Sequence, residues 1–123
     1  MYLLSFFAIV VQMSKHQYLG TFELAVMLAL IRLCDNAYGI TISREIEEIG
    51  GREVTLGSIY ATLDRLETKG LVSSEIGEPT PERGGRAKKY FRVTARGLRE
   101  VRGTQRVLER LWHGLRQLEG SRA

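Results

Sequence analysis

"TLGSIYATLDRLETKGLV", residues 55–72, is the stretch on which the fold turns. Ile59, Leu63 and Leu66 fall at i, i+4 and i+7, the spacing that lines one face of an α-helix, while Ser58, Thr62, Arg65 and Lys69 gather on another. Thr55 is the expected N-cap, since its hydroxyl can accept an N–H that the first turn leaves without a partner, and Gly70 is the expected stop. Taken alone, a polar helix face of this kind is most often simply solvated. Its neighbours along the chain give it a more specific meaning.

Upstream, Thr21 is placed to cap a helix through Asp35, with Glu23 in the favourable first turn; the run is apolar nearly all round, as a central buried helix would be. "DNAYG" at 35–39 supplies turn chemistry. A shorter helix is then expected over about 40–49, with Ile42, Ile46 and Ile49 on one face and Gly50–Gly51 ending it. Downstream of Gly70 the period changes to that of strands. "LVSSEIG" and "AKKYFRV" each suit a short strand, with Lys89, Phe91 and Val93 alternating against Lys88, Tyr90 and Arg92. The prolines and glycines of "EPTPERGGR" between them predict a hairpin with a long basic tip. Thr94 is the expected cap of a last helix running to about Glu119.

Two short helices with a tight turn, the second opening on small and hydroxyl side chains, followed by a hairpin, describe a winged helix-turn-helix: a mainly α fold with a small β-hairpin wing and a long C-terminal helix. A recognition helix meets base edges with its N-terminal residues, so bulk there would keep it out of the major groove. Leu56, Gly57, Ser58, Ala61 and Thr62 keep that end mostly slim, and Tyr60 and Arg65 are placed to reach phosphates. Lys or Arg stands at 83, 86, 88, 89, 92, 96, 99, 102 and 106, with Glu100 the sole acid from Arg83 to Arg106; this one-sided run suits a phosphate backbone. Thr55, Ser43 and Arg44 of the preceding helix, and Arg83, Gly85, Arg86, Lys88 and Lys89 of the wing, complete the expected DNA-contacting set. A solvated surface loop is the competing reading of the wing tip.

"LGTFELAVMLALI", "AYGITISREIEE", "LGSIYATLDRLETKGLV" and "RGGRAKKYFRVTARGL" follow one another in the order and spacing of PadR-type transcriptional regulators, which the chain resembles over about residues 19–100. The resemblance implies a bacterial winged-helix homodimer that binds operator DNA, usually as a repressor, and a length like that of the shorter members with one C-terminal helix. On the matching motifs, Ser58, Tyr60 and Arg65 take the family's recognition-helix positions and Gly85, Arg86 and Lys88 its wing positions. The apolar start departs from the family's usual short polar one.

In the last helix Val101, Leu108 and Leu115 repeat every seven residues, as do Leu111 and Leu118, with Leu98 and Trp112 flanking the seam and Thr104 and Gln105 weakening its middle. One small domain offers little surface to so long a stripe. It is expected to pack on a second subunit, with folding back on its own domain as the alternative. Trp112 is also a candidate for stacking a small aromatic effector, although tryptophan in an apolar stripe is usually packing.

The chain of 123 residues is expected to form one unit: an apolar extension at 1–18, the winged helix-turn-helix at 19–94, a dimerisation helix at 95–119 and a tail at 120–123. With 44% hydrophobic and 26% charged residues, disorder and repeat classes are excluded. "MYLLSFFAIVVQ" has no basic n-region, lacks a cleavage pattern and is about half a bilayer span, so neither secretion nor stable membrane insertion is expected. It needs a partner surface as a short helix, or Met13 is an alternative start. Cys34 alone cannot form an intrachain disulfide, which favours the cytoplasm, and it reads as a small buried apolar residue. His16 and His113 have no metal spacing; no metal, cofactor or catalytic residue is expected, since glycine loops for phosphate, nucleophile elbows and paired acids are missing. The leading expectation is a sequence-specific DNA-binding regulator, with double-stranded DNA and a second copy as partners. The alternative is a winged-helix protein–protein interaction module without specific DNA binding.

Overall fold

The computed structural model describes residues 19–79 and 87–119. The expected extension at 1–18, the wing tip with Arg83, Gly85 and Arg86, and the tail at 120–123 lie outside the described residues. In chain order the elements are α1 (Thr21–Leu33), a 3-10 turn (Cys34–Asn36), α2 (Gly39–Gly50), α3 (Leu56–Thr68), β1 (Val72–Pro79), β2 (Ala87–Val93), α4 (Ala95–Trp112) and α5 (Arg116–Glu119). The expected winged helix-turn-helix is present: three helices pack together and an antiparallel hairpin follows them.

Local chemistry sets the ends. The Thr55 hydroxyl accepts the Ser58 N–H at 3.1 Å and the Thr94 hydroxyl accepts that of Gly97 at 3.0 Å, so both expected caps hold. At the end of α3, Gly70 takes φ 78°; its N–H donates to the Glu67 carbonyl and that of Leu71 to the Leu66 carbonyl. This is a Schellman closure, and it needs a residue without a Cβ penalty at position 70. Gly51, at φ 75°, ends α2 in the same left-handed conformation. The cap of α1 differs from expectation: Gly20, not Thr21, precedes the helix, and the Glu23 carboxylate accepts the Gly20 N–H at 3.1 Å.

The core joins Val26, Met27 and Leu30 of α1, Ile42 of α2, Ile59, Leu63 and Leu66 of α3, Leu71 and Val72 at the root of β1, Phe91 of β2 and Val101 of α4. Each fully buried aliphatic side chain there contributes roughly 1.5–3 kcal/mol. The hairpin runs from Val72↔Val93 to Pro79↔Ala87 with an irregularity between Ile76 and Pro79. Its second edge is held too, because the Phe91 N–H donates to the Ala37 carbonyl at 2.9 Å. Gly97 of α4 lies so close to the Leu71 carbonyl that a Cβ would stand 2.1 Å from the oxygen, so any side chain there must force β1 and α4 apart.

Four expectations are corrected. α1 is not buried all round: Leu28 is 43% exposed and Ile31 is exposed beside it, because the core covers only one side of the helix. Cys34 is exposed rather than buried; it takes φ 54° where α1 gives way to the 3-10 turn, and its thiol lies 3.5 Å from the Ile31 carbonyl. Ile49 is exposed, since α2 runs past the edge of the core. The C-terminal segment is two helices, broken where His113 leaves helical geometry and Gly114 takes φ 78°.

Glu23 also ties α1 to α3 through Lys69 at 3.1 Å. Burial by itself would raise the Glu23 pKa, but the Gly20 N–H and the Lys69 ammonium outweigh it and hold the carboxyl below its ordinary value. A depressed folded pKa stabilises the fold above the unfolded pKa and stops doing so as pH falls through the folded one. Urea unfolding of Glu23→Gln is therefore expected to show a deficit against the parent chain at neutral pH that closes below the ordinary carboxylate range.

Candidate nucleic-acid interface

The turn between α2 and α3 is held from inside. The half-buried Ser43 hydroxyl lies 3.4 Å from the Glu47 carboxylate and 3.5 Å from the Val54 carbonyl, and the same carboxylate accepts the Val54 N–H. Ser43, expected at DNA, therefore turns towards this network, whereas Arg44 beside it is exposed. Beyond this turn one side of the first two turns of α3 faces outward: Thr55, Leu56, Gly57, Ser58 and Ala61 are all exposed, while Ile59 points into the core. The side chains there are small except for Leu56, and the Thr55 and Ser58 hydroxyls are 2.8 Å apart. This is the slim, polar helix end that a major groove admits.

Two residues expected to contact DNA do not reach this surface. Thr62 is 2% exposed and belongs to the core; at i+3 from Ile59 it rotates inward with Ile59, Leu63 and Leu66, and its hydroxyl accepts from Arg65 at 3.2 Å. Lys88 is 6% exposed, with its ammonium 4.5 Å from the centre of the Tyr38 ring. Arg65 is exposed but leans back towards Thr62 and acts electrostatically on Glu23. Tyr60 is only partly exposed, its ring lying over Gly39, where a Cβ would stand 2.2 Å from the Tyr60 hydroxyl oxygen. Lys89, Arg92, Arg96, Arg99, Arg102 and Arg106 are exposed, so most of the basic run faces solvent.

Sequence reasoning missed the aromatic joint behind this surface. Tyr38 meets Tyr90 edge-on at 5.5 Å, and Tyr90 lies across Gly77 of β1. No spacing in the sequence signals this joint, because Tyr38 and Tyr90 are 52 residues apart and meet only through the fold.

A second surface lies on the opposite element pair. Leu24 and Leu28 of α1 and Val101, Leu108 and Trp112 of α4 line an open groove of about 320 Å³. Of the expected dimer stripe, Val101 is instead buried in its own domain and Leu98 is half-buried against α1, since the first turns of α4 pack on the core. Leu108, Leu111, Trp112, Leu115 and Leu118 are exposed. Thr104, read as a weak point of the stripe, is buried and accepts the Leu19 N–H at 3.4 Å. Among the described residues no His, Cys, Asp or Glu cluster is placed to hold a metal, and no helix is long and apolar enough to cross a membrane.

Residues 27–103 match the model of the transcriptional regulator PadR-like family. A PadR family transcriptional regulator of Eggerthella lenta is 28% identical, with 94% of this chain and 96% of that one covered and a TM-score of 0.61. A PadR-like transcriptional regulator of Bacillus cereus superposes with a TM-score of 0.66 over 87% of this chain and 95% of its own, at 22% identity, and so shows the fold. An uncharacterized 37.1 kDa protein in transposon TN4556 of Streptomyces fradiae is 34% identical over 97 residues; these are 78% of this chain, which spans 24% of that relative's length.

The burial of Thr62 changes what its removal is expected to do. Thr62→Ala should lower stability by about 1–2 kcal/mol in chemical denaturation, as a core truncation does, and leave any ranking of DNA sequences unchanged.

Proposed function

From the chain's membership of the PadR-like family of transcriptional regulators, a family of regulators and not of enzymes, we propose that it is a sequence-specific DNA-binding regulator that represses transcription as a homodimer on an operator near its own gene. The observation that carries this is the exposed N-terminal end of α3, slim and polar at Gly57, Ser58 and Ala61, in a chain whose basic run along β2 and α4 is largely exposed. In this reading α3 lies in the major groove with Thr55, Gly57 and Ser58 at base edges. Arg44, Tyr60, Arg65, Lys89 and the wing residues Arg83, Gly85 and Arg86 meet the backbone. Such a role places the protein with the chromosome, in the bacterial cytoplasm.

Two recognition helices are brought to half-sites about one helical turn apart by a second copy. The apolar residues that one chain leaves open, Leu28 and Ile31 on α1 and Leu108, Leu111, Trp112, Leu115 and Leu118 at the C-terminus, support that reading, since a patch of this kind marks an association surface. The groove beside Trp112 is also where a flat aromatic effector would stack, read by quenching of the chain's one tryptophan.

The test is a mobility-shift titration against the promoter of the protein's own gene at several salt concentrations, with a scrambled duplex as control. Ser58→Ala is expected to change the ranking of operator variants. Arg86→Ala is expected to weaken binding to every duplex and to lower the salt slope by about 0.9. Equal effects of the two on all sequences would remove the assignment of roles, and no binding at any salt would favour the protein-contact module. By sedimentation, Leu111→Glu should shift the protein to a monomer and cost on the order of 100-fold in operator binding, through loss of the linked second half-site.

A further inference from the structure

Lysine is among the side chains most rarely buried, yet Lys88 is 6% exposed in a strand whose other cations face solvent. Its ammonium stands 4.5 Å from the centroid of Tyr38, well within the range of a cation–π contact. Tyr38 is the residue that caps α2, and its N–H donates to the Thr41 hydroxyl at 2.9 Å, so the ring sits on the rigid start of the helix-turn-helix. Tyr90, two residues from Lys88 on the same side of β2, meets that ring edge-on at 5.5 Å. Tyr90 in turn lies so close over Gly77 that a Cβ there would be 2.5 Å from the ring, which brings β1 into the same joint. Both wing strands are thus fastened to the first turn of α2 by one stack.

We propose that Lys88 is a positioning residue: its cation, seated on the Tyr38 ring, fixes the angle between the wing and the helix-turn-helix and does not bind phosphate. A residue so enclosed presents no donor to a backbone outside, while the neighbouring Lys89 does. The joint needs the cation at 88 and a ring at 38. Without either, the wing keeps the Ala37–Phe91 hydrogen bond, the Arg92–Asp35 ion pair and its root at Leu71 and Thr94, but loses the stack that sets its angle. The consequence for DNA rests on the regulator function proposed above; the fastening of the wing does not.

The test uses the full chain and the variants Lys88→Met, Tyr38→Leu, Tyr38→Phe and the double variant Lys88→Met/Tyr38→Leu. Operator titrations across salt are paired with amide hydrogen exchange of β2. Lys88→Met keeps the buried stem and removes the charge. It and Tyr38→Leu are each expected to speed exchange in β2 and to weaken operator binding on the order of ten-fold. The double variant should be little worse than either, Tyr38→Phe should behave as the parent, and every salt slope should stay at the parental value. A slope lowered by about 0.9 in Lys88→Met, with β2 exchange unchanged, would make Lys88 a phosphate ligand and overturn the proposal. Simple additivity in the double variant would overturn it too. If Lys88→Met fails to fold, the Tyr38 pair decides: fast exchange with Leu and slow with Phe supports the joint, and equal rates refute it. If the parent chain binds no DNA, the regulator function fails, while exchange in β2 still decides the role of Lys88.

Discussion

The wing is closed at its root, and the rest of the molecule depends on that closure. Leu71 leaves the Schellman end of α3 with its side chain in the core, and its carbonyl accepts the Thr94 N–H at 3.0 Å. The Thr94 hydroxyl donates to the Gly70 carbonyl at 2.8 Å and accepts the Gly97 N–H, so one side chain ties off the hairpin and starts α4. Gly97 lets α4 pass directly over the Leu71 carbonyl. Three elements therefore leave one point with fixed directions, and buried backbone groups are paired where they meet.

From that root the chain presents two unlike surfaces. On one, the turn held by Ser43, Glu47 and Val54 leads into the exposed start of α3; the arginines and lysines of β2 and α4 are exposed as well. On the other, α1 and the C-terminal part of α4 leave leucines and a tryptophan, 62% exposed, in solvent. The first surface carries small polar side chains and positive charge, the second exposed apolar ones. α4 takes part in both, because its early turns are held by Val101 and Thr104 while its later turns project beyond the core.

Lysine chemistry separates neighbours that look alike in the sequence. Lys88 and Lys89 are adjacent and identical, but the strand's two-residue period sends one towards Tyr38 and leaves the other exposed. The same geometry separates Ser58 from Thr62 on α3. Four positions are 400° of helix, not 360°, and that extra 40° brings Thr62 into the Ile59–Leu63–Leu66 face while Ser58 stays outside.

The sequence by itself determined the succession of three helices, hairpin and last helix, the caps at Thr55 and Thr94, the stops at Gly51 and Gly70, and the family resemblance. These are set by local chemistry: periodicity, capping hydroxyls and left-handed glycines act within a few residues of chain. Only the tertiary structure decided which polar residues are truly outside. By spacing alone Thr62 and Lys88 read as DNA contacts and Val101 as a dimer contact, yet each is buried in the folded chain. Burial is a sum over neighbours that the folded backbone brings together, so it is not written in the spacing of any one segment. The stack of Lys88, Tyr38 and Tyr90 has the same origin, since Tyr38 and the two wing residues lie on opposite sides of the α2–α3 unit in sequence and meet only when the wing folds back.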